Sequence, residues 1–136
     1  MTHLVERLAE LRIHLDHLGE LRARVTRPED LEADLSLHND VLFSLLTVAQ
    51  LVIDIAGELS ARKGLRFEDY VTAVRNLSRI GGFSPGMVEE LARLPGFRNV
   101  LIHEYVGLDY DFVLRAMDHL EPIDEFVQVV RERLEE

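Results

Sequence analysis

The sequence predicts an all-α fold, an antiparallel bundle of four or five helices. Three observations lead to this prediction. Nearly every apolar residue recurs at the helical period, and several segments begin with a capping residue followed by proline. Alternating apolar runs joined by Asn-Gly or Asp-Gly turns, which are typical of β-hairpins, are missing. With 136 residues, of which 47% are hydrophobic, the chain can bury one contiguous core, so we expect a single helical domain over residues 1–136.

The first helix is predicted from a leucine seam near the N-terminus. Its leucines alternate at spacings of four and three, and charged residues occupy the positions between them. His3, His14 and His17 lie along the same segment, but no Asp or Glu completes a recognised ligand spacing with them, so we predict no metal site. The seam consists of Leu4, Leu8, Leu11, Leu15 and Leu18 and continues to Val25.

The second helix is predicted to start at segment 26–29, of sequence Thr-Arg-Pro-Glu. The threonine would cap the helix, the proline would occupy its first turn, and Glu29 would close a capping box. The apolar period then continues as far as Leu59 or Arg62, and Gly64 is suited to end the helix. The residues predicted to face inward are Leu31, Leu35, Leu42, Leu45, Ala49, Val52, Ile53, Ala56 and Leu59.

Asp54 interrupts the apolar second half of this helix. A carboxylate between Val52 and Ile55 must reach solvent or find a partner, because a buried unpaired charge is very costly. Two interpretations stay open at this point. Asp54 lies on an exposed side of the helix, or it orients Arg98 or His103 of a later helix.

Two further helices are predicted before residue 95. Glu68 and Asp69 supply acids to the first turn of a third helix, where the helix dipole favours them, and the glycine pair at 81–82 ends it. Ser84 and Pro85 then supply a cap and a first-turn proline for the next helix.

A chain break is predicted at segment 94–96, of sequence Leu-Pro-Gly. Proline removes a helical hydrogen bond and glycine loosens the backbone, so the chain should break or kink there. Beyond it, Asp109 can cap a last helix, which Pro122 bends or divides in two.

The charge and the residue inventory exclude several functional classes. The chain has no cysteine, which excludes disulfides, thiolate metal sites and cysteine catalysis. Its 15 Lys and Arg against 25 Asp and Glu give a net charge of −10. This is the wrong sign for a protein that binds nucleic acid through a general basic surface, so any RNA contact must be local. The N-terminus lacks the apolar core of a signal peptide, and no uninterrupted apolar run approaches the ~20 residues that span a bilayer. We expect a cytoplasmic protein without membrane contact.

The segment Phe-Arg-Asn-Val-Leu-Ile-His-Glu-Tyr, which ends at Tyr105, sets functional polar side chains among apolar residues. On an α-helix, Arg98, Asn99, His103 and Tyr105 share one broad arc with Ile102. The opposite arc is the natural face to bury against other helices, so we expect one face to pack and the other to present functional groups. This opposite arc contains Phe97, Val100 and Leu101, with Glu104 between them.

Arg98, His103 and Tyr105 stand at the spacing of a known motif. The spacing resembles the R-x4-H-x-Y signature of the HEPN superfamily of RNases, and the asparagine after the arginine strengthens the resemblance. The longer stretch 96–105 resembles the core of HepT-like toxins, which work with a minimal nucleotidyltransferase antitoxin of the MNT type. The resemblance extends over roughly residues 35–134. It implies a HEPN-like bundle and a toxin that is a metal-independent endoribonuclease without a cofactor.

The residue types of the motif suit this chemistry. Metal-independent RNA cleavage needs a base for the 2′-hydroxyl proton, a donor that stabilises the charged phosphorane, and an acid for the leaving 5′-oxygen. Arginine is a permanent cation that fits phosphate oxygens, and histidine titrates near neutrality. We therefore assign Arg98 to the phosphate and His103 to proton transfer. Asn99 would orient either of them, and Tyr105 would contact RNA or complete the hydrogen-bond network.

One chain supplies one motif histidine, whereas the reaction needs both an acid and a base. The resemblance implies a homodimer whose two motifs meet in a cleft. Ile102 would offer an apolar surface to the second copy there, and two Arg98 side chains would form a local cationic groove. The resemblance also implies transfer of AMP to Tyr105 by the MNT-type antitoxin. The negative charge of the attached AMP would repel RNA phosphate. Inhibition by simple binding of the antitoxin stays an alternative.

Two other kinds of function stay open at the level of sequence. The chain could be a non-catalytic module that binds a nucleotide or a partner and regulates or assists a nucleotidyltransferase. It could also be a helical interaction protein, in which the motif residues are only the solvated face of a helix.

Overall fold

The chain folds into a bundle of α-helices joined by short turns, which confirms the predicted all-α class. The computed structural model describes residues 2–135, apart from the side chains of Thr2 and Tyr105, and it contains no strand in that range. A 3-10 helix spans Tyr105–Gly107. The α-helices are α1 (Thr2–Ala23), α2 (Pro28–Ala33), α3 (Leu35–Arg62), α4 (Tyr70–Arg75), α5 (Leu77–Ile80), α6 (Pro85–Leu91), α7 (Leu94–His103), α8 (Tyr110–Met117) and α9 (Glu121–Glu135).

The core of the bundle lies between α1 and α3. Helix α3 also packs against α2, α4, α5 and α7, while α9 closes the bundle against α1 and α6. Every leucine of the predicted α1 seam is buried, and each such leucine stabilises the fold by roughly 1.5–3 kcal/mol. The seam is therefore confirmed as the core-facing side of α1.

Helix α3 is apolar enough to resemble a membrane span by length and composition. Its mean hydropathy over the most apolar window is 1.7, but 50% of that window is buried inside the protein. Its apolar side is covered by α1 and by the shorter helices that follow it. Helix α3 therefore has the character of a central core helix in a bundle.

The predicted second helix is divided in two at Asp34. This residue has an extended backbone, with φ −127° and ψ 103°, and its carboxylate accepts a hydrogen bond from the backbone N–H of Leu37 at 3.1 Å. Asp34 thus caps a new helix, because a side-chain acceptor satisfies an N–H that has no partner in the first turn. Leu35, predicted to face inward, is 72% exposed because it lies at this new helix start.

The start of α2 also differs in detail from the prediction. Arg27 is its N-cap residue, and the acid that closes the turn is Asp30 rather than Glu29. The Asp30 carboxylate accepts hydrogen bonds from the backbone N–H groups of Thr26 at 2.7 Å and Arg27 at 3.0 Å. These backbone hydrogen bonds hold the pKa of Asp30 below its usual value.

Gly64 ends α3 as predicted. It has a positive φ of 70°, which glycine adopts without strain. The N–H of Gly64 donates to the carbonyl of Ala61 at 3.1 Å, and the N–H of Leu65 donates to the carbonyl of Ser60 at 2.9 Å. This pair of hydrogen bonds is a Schellman motif, which satisfies two carbonyls at the end of the helix.

The predicted caps of the later helices are largely confirmed. Ser84 caps α6 and Asp109 caps α8, each through a side-chain oxygen that accepts a backbone hydrogen bond. Asp69 caps α4 instead of lying in its first turn, and its carboxylate accepts from the N–H of Thr72 at 2.7 Å. Pro122 lies in the first turn of α9, so the predicted last helix is divided into α8 and α9.

Candidate active site

Helix α7 carries the motif residues Arg98, Asn99 and His103. The chain break predicted for segment 94–96 lies just before it, between Leu91 at the end of α6 and the start of α7. Pro95 therefore lies in the first turn of α7, where the missing N–H costs no helical hydrogen bond.

The two faces of α7 are used as predicted. Leu101 is buried, whereas Asn99, Ile102 and His103 are exposed and Arg98 is half-buried. The motif side chains of α7 therefore lie on one accessible face, and the other face anchors the helix against α3.

A groove of about 620 Å³ explains why the packed face is not fully buried. Phe97 and Val100 are half-buried and line this groove together with Phe112 of α8. The ring centroids of Phe97 and Phe112 are 5.3 Å apart. The groove lies on the side of α7 away from Arg98, so it is separate from the candidate site.

Tyr105 does not continue the helical arc on which the sequence analysis placed it. Helix α7 ends at His103, and Glu104 has left the helical region with φ −119° and ψ 18°. The backbone of Tyr105 begins the short 3-10 helix that follows. Its side chain lies outside the described part of the structure.

The side chain of Arg98 is anchored to α3 by Gln50. The Arg98 Nε donates a hydrogen bond to Gln50 Oε1 at 2.5 Å, and Gln50 Nε2 donates to Asp54 Oδ1 at 2.8 Å. An ionised carboxylate only accepts hydrogen bonds, so Asp54 turns the amide nitrogen of Gln50 toward itself and its oxygen toward Arg98. Asp54 thus reaches Arg98 through Gln50, rather than by a contact of its own.

Tyr70 and Asn99 flank the same guanidinium. The Cζ atom of Arg98 lies 5.9 Å from the centroid of the Tyr70 ring, within the range of a cation–π contact. Asn99 Oδ1 accepts from Arg98 Nη1 at 3.5 Å, the outer limit of a hydrogen bond. Arg98 Nη2 donates to no group in the described part of the chain, so the outer edge of the guanidinium can bind an anion.

His103 lies apart from this network at the end of α7. It follows Asn99 by four residues, which places both on the same side of the helix, and it is exposed. No side chain that the structure describes donates to or accepts from His103, so the imidazole is available to a substrate. Ile102 is 37% exposed and Val106 is 88% exposed, so apolar surface flanks the histidine on both sides along the chain.

His14 and His17 of α1 each pair with a different residue of α3. His14 Nδ1 lies 3.0 Å from Ser44 Oγ, and His17 Nε2 lies 2.9 Å from Asp40 Oδ1. Each of these pairs joins α1 to α3 and adds a polar contact at the edge of the core.

The comparison with protein families decides the assignment. The model of the family described as Ribonuclease HepT-like matches residues 11–130 of this chain. The chain belongs to the HepT-like ribonuclease family. This membership confirms the resemblance seen in the motif and the assignment of the chain as an RNase.

Relatives of this HepT-like protein occur in archaea and bacteria. A candidate RNase of Archaeoglobus fulgidus is 28% identical over 129 residues, which cover 94% of this chain and 92% of the relative. The mRNA nuclease HepT of Shewanella oneidensis is 24% identical over 100 residues, which cover 72% of this chain and 75% of the relative.

A solved structure establishes the HEPN fold of this HepT-like chain. The tri-AMPylated HEPN toxin of Shewanella oneidensis, in complex with an MNT antitoxin, matches with a TM-score of 0.81 at 19% sequence identity. The match covers 95% of this chain and 96% of that toxin.

Two residues at the site of this HepT-like protein were missed by sequence reasoning. Gln50 lies one helical turn before Asp54, and this i, i+4 spacing was a usable signal for a hydrogen-bonded pair. Tyr70 directly follows the helix cap Asp69, but no local pattern indicates that its ring lies beside Arg98.

Proposed function

We propose that this chain is the toxin of a toxin–antitoxin pair and acts as a metal-independent endoribonuclease in the cytoplasm. Residues 1–136 would act as one HEPN domain. The observation that carries the proposal is the anchored guanidinium of Arg98, whose outer edge is open on the same face of α7 as His103. A donor that is already held in place stabilises the charge of the phosphorane without reorganisation during the reaction.

The proposed reaction uses two copies of His103. One neutral imidazole takes the proton of the ribose 2′-hydroxyl, and the oxygen attacks the adjacent phosphorus. The bond between phosphorus and the 5′-oxygen breaks, and a protonated imidazole gives its proton to that oxygen. The products are a 2′,3′-cyclic phosphate and a 5′-hydroxyl end. Arg98 neutralises the phosphate throughout, and Asn99 helps to orient it.

A homodimer would bring the two histidines together. The exposed apolar side chains of Ile102 and Val106 support this arrangement, because a second copy that covered them would remove apolar surface from water. Two Arg98 side chains would then make a cationic cleft on a chain whose net charge is −10.

An MNT-type nucleotidyltransferase is the proposed antitoxin. The related Shewanella oneidensis toxin is AMPylated and bound to an MNT antitoxin in its solved structure, which supports the same partnership here. Tyr105 is the proposed acceptor of AMP, since added negative charge next to His103 would repel RNA phosphate. Intact-mass analysis after co-expression with an MNT-type nucleotidyltransferase tests this. We expect an increment of AMP that Tyr105→Phe removes, and inhibition that persists in Tyr105→Phe would favour the steric alternative.

The decisive experiment is RNA cleavage in the presence of EDTA. Wild-type protein is expected to cleave, and His103→Ala is expected to be inactive while it keeps the wild-type circular dichroism spectrum. His3→Ala, which changes an exposed histidine at the start of α1, is the matched control and is expected to cleave normally. Cleavage by His103→Ala at the wild-type rate would exclude His103 as the proton carrier. An inactive wild type that binds nucleotides in calorimetry would favour the non-catalytic module.

Mixed dimers test whether one site needs both chains. Wild-type and His103→Ala chains are unfolded together, refolded at varied ratios and assayed. If both histidines are needed, activity falls with the square of the wild-type fraction. A linear fall would mean that each chain acts alone.

A further inference from the structure

We propose that Tyr70 and Phe67 form a nucleobase-stacking site beside Arg98, here called the aromatic track. The track holds bases of a single RNA strand while Arg98 holds a phosphate next to the base on Tyr70. This inference rests on the proposed ribonuclease function and adds to it the part of the substrate that the protein grips.

Tyr70 supplies the first position of the aromatic track. Its side chain is 48% exposed, although a tyrosine at the start of a helix could have turned its ring onto the core. The ring lies beside the guanidinium of Arg98, with 5.9 Å between Cζ and the ring centroid. An accessible aromatic ring next to a phosphate-binding cation is the arrangement with which proteins hold unpaired RNA bases.

Phe67 supplies the second position. It lies in the loop after α3 and packs against α3 farther toward the C-terminal end of that helix. Gln50, Asp54 and Gly57 follow one another at spacings of four and three, so they share one side of α3 over about 10 Å. Gln50 holds Arg98 at one end of this side. At the other end, a Cβ atom on Gly57 would lie only 3.3 Å from Cζ of Phe67, so the glycine lets the ring approach the helix. The ring is still 38% exposed.

The aromatic track lies on the loop between α3 and α4 and on the first residue of α4, and hydrogen bonds anchor this loop at both ends. Asn76 is buried, and its Nδ2 donates to the carbonyl of Arg66 at 3.1 Å and to Ser60 Oγ at 3.3 Å. At the other end of the loop, the Asp69 cap accepts the N–H of Thr72, and this hydrogen bond lowers the pKa of the Asp69 carboxyl. A loop held in this way loses little conformational freedom when a ligand binds.

Base stacking also suits the charge of the protein. A chain with a net charge of −10 cannot attract RNA through a general basic surface, so its affinity must come from local contacts. Stacking is such a contact, and it tolerates any base because every base has a π face. The aromatic track therefore predicts binding to single-stranded RNA with little sequence preference.

Fluorescence anisotropy with a non-cleavable probe tests the aromatic track. The probe is a short fluorescein-labelled oligonucleotide of mixed sequence with 2′-O-methyl ribose at every position, which lacks the attacking hydroxyl. We expect Tyr70→Ala to weaken binding about tenfold, Phe67→Ala to weaken it less, and Tyr70→Trp to keep wild-type affinity. Tyr110→Ala is the matched control, because Tyr110 contacts His38, about 18 Å before Gln50 along α3, and its affinity should not change.

An abasic version of the same oligonucleotide separates stacking from an effect on Arg98. If Tyr70 stacks a base, the loss caused by Tyr70→Ala disappears on the abasic probe. A loss of equal size on both probes, or no loss on the full probe, would overturn the aromatic track. Cleavage of unmodified RNA by the wild type is measured in parallel. Absence of cleavage would overturn the proposed ribonuclease function. The comparison of binding to the full and the abasic probe would still test the aromatic track, because it does not depend on cleavage.

Discussion

Replacing Gln50 by leucine removes the acceptor that holds Arg98 and keeps a side chain of similar size. A hydrogen bond to a charged group contributes about 1.5–3 kcal/mol, and the lower end applies because Gln50 and Arg98 are only half-buried. The Tyr70 ring at 5.9 Å and Asn99 Oδ1 at 3.5 Å then remain to orient the guanidinium. Because 1.36 kcal/mol corresponds to a tenfold change in rate, we expect kcat/KM for RNA cleavage to fall about tenfold.

Initial rates on a quenched fluorescent RNA oligonucleotide measure this effect. Gln128→Leu is the matched control, because Gln128 Nε2 also donates to a carboxylate four residues on, that of Glu132 at 3.0 Å, but it does so on the exposed side of α9. Its kcat/KM should equal that of the wild type. A Gln50→Leu protein that cleaves RNA at the wild-type rate would refute the role of Gln50 in positioning Arg98. Equal losses in both variants would show that the effect does not pass through Arg98.

Three further outcomes are expected. The Asp118 carboxylate accepts a hydrogen bond from Arg22, and this bond lowers the pKa of the carboxyl. The resulting stabilisation is fully present above pH about 4 and is lost as the pH falls through the lowered pKa. Asp118→Asn removes this stabilisation. The free energies of unfolding of the wild type and of Asp118→Asn, measured in urea, should therefore converge at low pH. Asn76→Ala should reduce the free energy of unfolding by about 1–3 kcal/mol, since it leaves buried polar partners unsatisfied, and an unchanged urea midpoint would contradict this. Gly57→Val should displace Phe67 and weaken binding of the 2′-O-methyl probe, with a small change in melting temperature.

The part of the site that lies within one helix could be predicted from the sequence. Arg98, Asn99 and His103 share a face because the helical period places them there, and the packing of α7 did not alter that relation. The leucine seam of α1 and the caps at Ser84 and Asp109 were predictable for the same reason, since each depends only on residues within a few positions.

The contacts between helices could not be predicted in this way. Gln50 and Arg98 are 48 residues apart, and a periodic pattern says which side of a helix is apolar without saying which helix covers it. The break at Asp34 was missed because the apolar period continues through it, whereas its carboxylate stabilises a new helix start. The end of α7 was missed because no glycine or proline follows His103 before Gly107.

The position of Arg98 and His103 along α7 gives the two groups different stiffness. Arg98 lies in the middle of the helix and is tied to α3, whereas His103 is its last residue, and helix ends fray. Opening of the chain near His103 therefore requires less free energy than opening near Arg98. In the proposed reaction, Arg98 would therefore be held in place before RNA binds, whereas His103 would adjust to the strand and reach its working distance only in the bound complex. On the proposed assignment, one short helix would thus combine a fixed phosphate-binding group with an adaptable acid–base group.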